Sequence, residues 1–146
     1  MPRRAQLFVA THAGALARAD ALEAGVPPQS ETTSCELPDV SPLDLELLGE
    51  AAAAAVRFGH GDLEPAEVDL SHEWLFHLPP FLVEVLAEIG RAEDPEVPGE
   101  VAAAWAASAE RDPQVGDPLP TLNEIVRVAS AAEDLGRGAY LWVEPV

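Results

Sequence analysis

Residues Val68 to Leu78 read V-D-L-S-H-E-W-L-F-H-L, and their side chains alternate between two kinds of face. Successive side chains of a β-strand point to opposite sides of its sheet, so this order predicts one half-buried strand over the whole stretch. The more apolar face would carry Val68, Leu70, His72, Trp74, Phe76 and Leu78. Two prolines follow at once, and we expect them to end the strand and open a helix.

A helical block separates this strand from the last one. Apolar residues recur at helical spacing from Phe81 to Ile89, with an expected inward row of Leu82, Val85, Leu86 and Ile89. An alanine-rich helix carrying Val101, Trp105 and Ser108 on one side comes next. Thr121 and Glu124 have the spacing of a capping pair that opens a third helix, and Gly136 ends it. The run A-Y-L-W-V at Ala139 to Val143 then predicts a strand.

The N-terminal half predicts two more strands and two more helices. Ala5 to Thr11 has strand length and leads into a helix that runs to Gly25, and Thr32 to Leu37 is a weaker strand. Ser41-Pro42-Leu43-Asp44 is typical of a helix start, because a serine cap and a proline precede an acid that can reach back. The apolar row expected for this helix is Leu43, Leu47, Ala51, Ala54, Ala55 and Phe58.

The order of these elements predicts an α+β fold. Because helices lie in one block between the long strand and the final strand, a doubly wound parallel sheet is disfavoured. At 146 residues the chain is expected to form a single α+β domain over residues 1–146. We expect two layers, with a sheet of about four strands covered by about five helices.

Charge is the most unusual property of the composition. The chain has 26 acidic residues and eight arginines with no lysine, a formal net charge of −18. Binding of nucleic acid or of an anionic membrane through a basic surface is therefore disfavoured. No apolar run has the length of a membrane span, and Cys35 has no second cysteine to pair with, so a cytoplasmic protein is expected.

The two histidines of the predicted strand attract attention as candidate ligands. His72 and His77 are five residues apart, whereas two histidines that chelate zinc from one helix face are four apart. On a strand the odd spacing sends them to opposite faces, so no metal, cofactor or catalytic residues are predicted. His72, Trp74 and His77 remain a candidate pocket, in which His72 could act as a base. The competing interpretation of His72 is a neutral core histidine.

Two short segments suggest chemistry but match no motif. Thr11-His12-Ala13-Gly14, where a strand meets a helix, could offer backbone N–H groups to an anion, yet it lacks the spacing of phosphate-binding fingerprints. An ordinary helix start is the favoured interpretation. Cys35 has Glu36 beside it and no cation nearby in sequence, which indicates a buried apolar residue and not a reactive thiol.

The distribution of charge supports the leading hypothesis for function. Between Arg18 and Arg91 there are 15 acids and one base, Arg57. We expect an interaction or inhibitor-type module that binds a basic protein, with Asp44, Glu46 and Glu50 on the second helix as the candidate surface. The alternatives are a small enzyme or ligand-binding protein with a pocket around His72 and Trp74, and a homo-oligomeric accessory protein without catalysis. A solvated acidic surface that reflects composition alone is the remaining interpretation.

Overall fold

A computed structural model describes residues 4–25, 33–37, 40–56, 61–68, 74–108 and 118–144. Five helices and five strands lie in these residues. In chain order they are β1 (Ala5–Ala10), α1 (His12–Ala24), β2 (Ser34–Glu36), α2 (Pro42–Val56), β3 (Ala66–Glu67), β4 (Leu75–His77), α3 (Pro80–Arg91), α4 (Val97–Ala106), α5 (Pro118–Leu135) and β5 (Gly138–Val143).

The strands form one antiparallel sheet in the order β2-β1-β5-β4-β3. The predicted α+β fold is confirmed, with five strands where about four were expected. The two longest strands, β1 and β5, lie at the centre and pair from Ala5 with Val143 to Ala10 with Gly138. Consequently β1 and β5, the first and last strands that the structure describes, lie side by side in the middle of the sheet, with β5 between β1 and β4.

The two faces of the sheet are covered unequally. Alternate residues of β1 and β5, among them Leu7, Val9 and Leu141, pack with α2, α3, α4 and α5 in the larger core. The side chains of Phe8, Tyr140 and Trp142 lie on the opposite face, where they pack with Ala15 and Ala19 of α1. The four-helix layer therefore contains most of the described core, and among the described helices α1 is the one on the second face.

Several predicted elements are confirmed in detail. The carboxylate of Asp44 accepts hydrogen bonds from Ser41 N at 2.9 Å and from Ser41 Oγ at 3.1 Å, while Asp44 N donates to Ser41 Oγ at 3.2 Å. This reciprocal pair is the expected cap of α2. Gly25 and Gly136 follow α1 and α5 with φ of +71° and +64°, a left-handed conformation that glycine adopts without steric cost. The inward row predicted for α3 is fully buried.

The row predicted for α2 is wrong at three of its positions. Leu47 and Ala51 are half-buried and pack against the larger core, and Phe58 lies outside the described residues. Leu43 is 48% exposed, and Ala54 and Ala55 are exposed as well. The buried residues of α2 are Leu45, Leu48, Gly49 and Ala52. This helix has leucine and alanine on nearly every side, so helical periodicity fits more than one face, and contact with the neighbouring helices selects the buried one.

The single long strand over residues 68–78 is also wrong. Ala66 pairs with His77 and Glu67 with Phe76, and Val68 N donates to Leu75 O, all in antiparallel register. Strand β3 therefore precedes the predicted strand, β4 covers only its last part, and Val68 lies beside Leu75 and not in line with it. Residues 69–73 of the prediction lie outside the described residues. The alternation of faces does persist within β4, because Phe76 packs toward the larger core while Leu75 packs on the α1 side.

Two further features of the fold are the start of α5 and the short outer strands of the sheet. Helix α5 begins at Pro118, three residues before the predicted start at Thr121. The outer strands β2 and β3 are only three and two residues long, and Arg127 Nη2 donates to Ser34 O of β2 at 2.7 Å. Across the described residues, no helix combines the length and the apolar content that a bilayer crossing requires.

Candidate functional site

A short segment, residues 61–65, brings further acids onto α2. Leu63 lies against Gly49, whose missing side chain leaves room for it: a Cβ at Gly49 would be 3.0 Å from Leu63 Cδ2 and 2.6 Å from Leu82 Cδ1. Leu63 is half-buried, whereas Asp62 and Glu64 on either side of it are exposed. Asp62 Oδ1 also accepts from Glu64 N at 3.0 Å, which stabilises the turn. The packing of Leu63 thus holds the segment on α2, while the carboxylates of Asp62 and Glu64 remain exposed.

These two carboxylates face those of α2. We define the acidic face as Glu46, Glu50, Asp62 and Glu64. The pKa of Glu46 is raised, first by partial burial and then by the negative charges of Glu64, Glu50 and Asp62. The other three carboxylates of the acidic face are therefore close enough to Glu46 to disfavour its charged form.

The arginines of the described residues lie elsewhere. Arg91 pairs with Glu88 at 2.7 Å and with Glu133, and Arg127 pairs with Glu124 at 2.7 Å. Arg4 lies 3.6 Å from Glu36. Within the described ranges, none of these ion pairs involves the acidic face. Repulsion there is not offset by an arginine that the structure describes.

The three predicted surface acids have different roles. Glu46 and Glu50 belong to the acidic face, as their position on α2 suggested. Asp44 is half-buried and its carboxylate is committed to the cap of α2 through Ser41. Reversing the charge of Asp44 would remove that cap, so it cannot serve as a pure charge variant.

A second feature is a cleft of about 250 Å³ on the α1 side of the sheet. Its described lining is His12, Ala66, Glu67, Val68, His77 and Tyr140. His77 and Tyr140 are partners in the β4–β5 register, and their ring centroids are 4.9 Å apart at 49°. His12 begins α1 directly after β1 and comes to the same end of the sheet.

Burial determines the protonation of the two inner rings. The pKa of His77 is lowered by desolvation and then by the charge of His12, so its imidazole favours the neutral form. The pKa of Tyr140 is raised by desolvation, so its phenol keeps its proton. Among the described residues, no group of three His, Cys, Asp or Glu side chains could hold a metal ion.

The predicted pocket is described only in part. His72 lies outside the described residues, so its place in a pocket stays a prediction. Trp74 is half-buried at the start of β4, where its carbonyl accepts from Val143 N, and it is not in the described lining of the cleft. His77 does line a cleft, together with Tyr140 and His12. The pairing of His77 with Tyr140 joins residues of two distant strands, which no local pattern indicates.

The interpretation of Cys35 as a buried residue is confirmed. Its side chain is 8% exposed and packs in the larger core. Burial raises the pKa of the thiol to about 12, and the charge of Glu124 acts in the same direction. A thiol that keeps its proton at neutral pH is a weak nucleophile, so Cys35 contributes packing.

Comparison with known proteins adds no relative to this description. The sequence matches no protein-family model, and neither the curated proteins nor the solved structures include a significant match.

The raised pKa of Glu46 leads to a stability prediction. The folded state holds the proton of Glu46 more tightly than the unfolded chain, whose pKa is near 4.5, so stability falls as the pH rises through the window above that value. Glu46→Gln removes the charge at every pH. We expect its melting temperature at neutral pH to exceed that of the native chain, with the difference shrinking as the pH approaches 4.5.

Glu23→Gln is the matched control for this measurement. Glu23 is an exposed acid of α1, on the opposite side of the sheet, so the substitution removes the same charge away from the acidic face. Thermal melts of both variants across the pH range test the prediction. If Glu46→Gln and Glu23→Gln raise the melting temperature equally, total charge is the cause and the local repulsion is unimportant.

Proposed function

We propose that this chain is an acidic protein-binding module that docks on a basic partner through the acidic face. The observation that carries the proposal is the concentration of Glu46, Glu50, Asp62 and Glu64 without an arginine partner among the described residues. Elsewhere on the described surface, acids such as Glu124 and Glu133 are paired with arginine. Clustered carboxylates that no arginine of the described residues pairs with are what a complementary cationic surface would neutralise.

The way these carboxylates are held also suits recognition. Glu46 and Glu50 project from a capped helix of 15 residues, and the neighbouring segment is anchored by Leu63 on Gly49. Side chains on rigid elements lose less conformational freedom on binding than side chains on loose ones. The proposed surface is therefore organised before a partner arrives.

The chemistry of the partner follows from that of the face. Clustered carboxylates attract arginine and lysine side chains, and the net charge of −18 steers a cationic protein from a distance. Such steering acts mainly on the association rate and weakens as salt screens the charges. A nucleic acid would be repelled by the same field, so the proposed partner is a basic protein.

The experiment requires a partner isolated by affinity capture from the source organism at low salt, followed by kinetics with the purified pair. The test variant is Glu46→Arg with Glu50→Arg. The control is Glu23→Arg with Asp134→Arg, which makes the same change of net charge at exposed sites on α1 and α5. We expect the test variant to slow association about tenfold or more at low salt, and the control to slow it far less.

Two results would contradict the proposal. Association rates that do not change with salt would exclude steering by charge. Equal slowing in the two variants would mean that total charge governs binding and that the acidic face has no special part. In either case the acidity of this surface would reflect composition alone.

A further inference from the structure

A cavity of about 170 Å³ lies where the start of α3 meets the end of α5. Leu78, Val83 and Ala132 supply its apolar wall, and all three are buried. An apolar cavity of about 150 Å³ is large enough to hold a benzene molecule. This cavity, which we call the α3–α5 cleft, therefore has room for one small apolar group.

Arg137 lies on the rim of the α3–α5 cleft with an unpaired guanidinium group. Among the described residues its side chain makes neither an ion pair nor a hydrogen bond. The other described arginines each have a polar partner, which is a glutamate for Arg4, Arg91 and Arg127 and Gln6 for Arg18. The guanidinium of Arg137 is therefore open to an acceptor from a ligand.

The end of α5 fixes the backbone of Arg137 at the cleft. Arg137 N donates to Ala132 O at 2.9 Å, and Gly136 N donates to Glu133 O at 3.1 Å. Together with the left-handed conformation of Gly136, these bonds close the helix. The arginine is thus carried by an ordered helix end.

Glu84 is the unpaired acid of the same rim. It is exposed on α3, next to Val83 of the apolar wall. Within the described ranges it makes no ion pair, and in particular none with Arg137. Glu133, the other acid of the described lining, is already paired with Arg91. The cleft therefore presents one open cation and one open carboxylate beside an apolar wall.

We propose that the α3–α5 cleft binds a free amino acid with a small apolar side chain. The carboxylate of the ligand pairs with Arg137, because a guanidinium can donate two parallel hydrogen bonds to a carboxylate. The ammonium group of the ligand pairs with Glu84, and its side chain lies against Leu78, Val83 and Ala132. The site shares no residue with the acidic face, so its occupancy does not depend on the proposed function.

The balance of charge favours a zwitterion over simpler ligands. A carboxylate without an amine would be repelled by Glu84 and by the net charge of −18. An amine without a carboxylate would leave Arg137 unpaired and would be repelled by it. A free amino acid has no net charge at neutral pH and satisfies both groups.

Titration of the isotope-labelled protein by NMR at neutral pH tests the site with three probes that share one apolar body. L-leucine carries both charges, isocaproate lacks the amine, and isoamylamine lacks the carboxylate. We expect L-leucine to give saturable shifts of the amide signals of Val83, Glu84, Gly136 and Gly138. The other two probes should bind about tenfold more weakly or worse, because each loses a charge-assisted hydrogen bond.

Two variants at exposed positions test the assigned roles. Arg137→Gln and Glu84→Gln should each weaken the binding of L-leucine about tenfold. The matched controls are Arg127→Gln, at an exposed position nearer the start of α5, and Glu23→Gln on α1. These controls make the same changes of charge away from the cleft and should bind L-leucine as the native protein does.

Three results would overturn the proposal. The first is the absence of saturable shifts at the α3–α5 cleft with L-leucine. The second is binding of isocaproate or isoamylamine as tight as that of L-leucine, which would show that one of the two charges has no part. The third is unchanged affinity for L-leucine in Arg137→Gln or in Glu84→Gln.

Discussion

Replacing Trp105 by alanine is expected to lower the free energy of unfolding by about 3–5 kcal/mol. Trp105 is fully buried between α4 and its neighbours, and its Nε1 donates to Asp44 O in the first turn of α2 at 2.9 Å. The substitution removes the largest buried side chain of the four-helix layer and the link between two helices. A domain of ordinary stability, roughly 5–15 kcal/mol, would lose a large part of it. Urea unfolding of the variant measures the change.

A pair of Trp→Phe variants separates packing from hydrogen bonding. Trp142 is also buried, at 2% exposure, but its Nε1 has no hydrogen-bond partner in the part of the chain that the structure describes. Trp105→Phe and Trp142→Phe remove similar volumes, and only the first removes a hydrogen bond. We expect Trp105→Phe to cost about 1 kcal/mol more than Trp142→Phe. Equal costs would show that the bond to Asp44 contributes nothing to stability.

Valine at Gly49 is expected to destabilise the protein by about 1–3 kcal/mol through overpacking. A Cβ at this position would lie 2.6 Å from Cδ1 of Leu82, which is fully buried, so the Leu82 side chain has to shift within the core. The same Cβ would press on Leu63, which anchors the segment that carries Asp62 and Glu64. The substitution should therefore loosen the acidic face as well as the contact between α2 and α3. The unfolding midpoint in urea provides the measurement.

Gly99→Val is the matched control for Gly49→Val. Gly99 lies in α4, is exposed, and has no atom within 4 Å of its Cβ position. Because glycine is a poorer helix former than valine, this variant should be as stable as the native protein or slightly more so. Similar losses in both variants would rule out the close approach of Leu82 as the cause.

Local patterns in the sequence predicted most elements of the fold. Caps and breakers at Ser41, Gly25 and Gly136 mark helix ends through backbone chemistry that acts over a few residues. The apolar spacing of α3 indicates its buried face because the opposite side of that helix is polar. Where the local pattern was degenerate, as on the leucine- and alanine-rich α2, the buried face depended on packing that sequence spacing does not reveal.

Long-range pairing explains the remaining errors and omissions. The run from Val68 to Leu78 has the alternation of one strand, but Val68 N donates to Leu75 O in the antiparallel pair β3–β4, so the two ends of the run lie side by side. Glu46 and Glu50 could be named from their helix, whereas Asp62 and Glu64 join them only through the packing of Leu63 on Gly49. His77 meets Tyr140 through the register of β4 and β5, which are far apart in the chain.

The short outer strands have a consequence for the colloidal behaviour of the protein. An exposed sheet edge is a template on which another chain can add a strand, and this is a common route to domain swapping and amyloid. Here the described edges offer only the three residues of β2 and the two of β3, and one carbonyl of β2 is already occupied by Arg127. The long, apolar strands β1 and β5 are enclosed at the centre. The strand order thus places β1 and β5, the described strands most able to pair with another chain, inside the sheet. Only the short strands β2 and β3 are left at its edges.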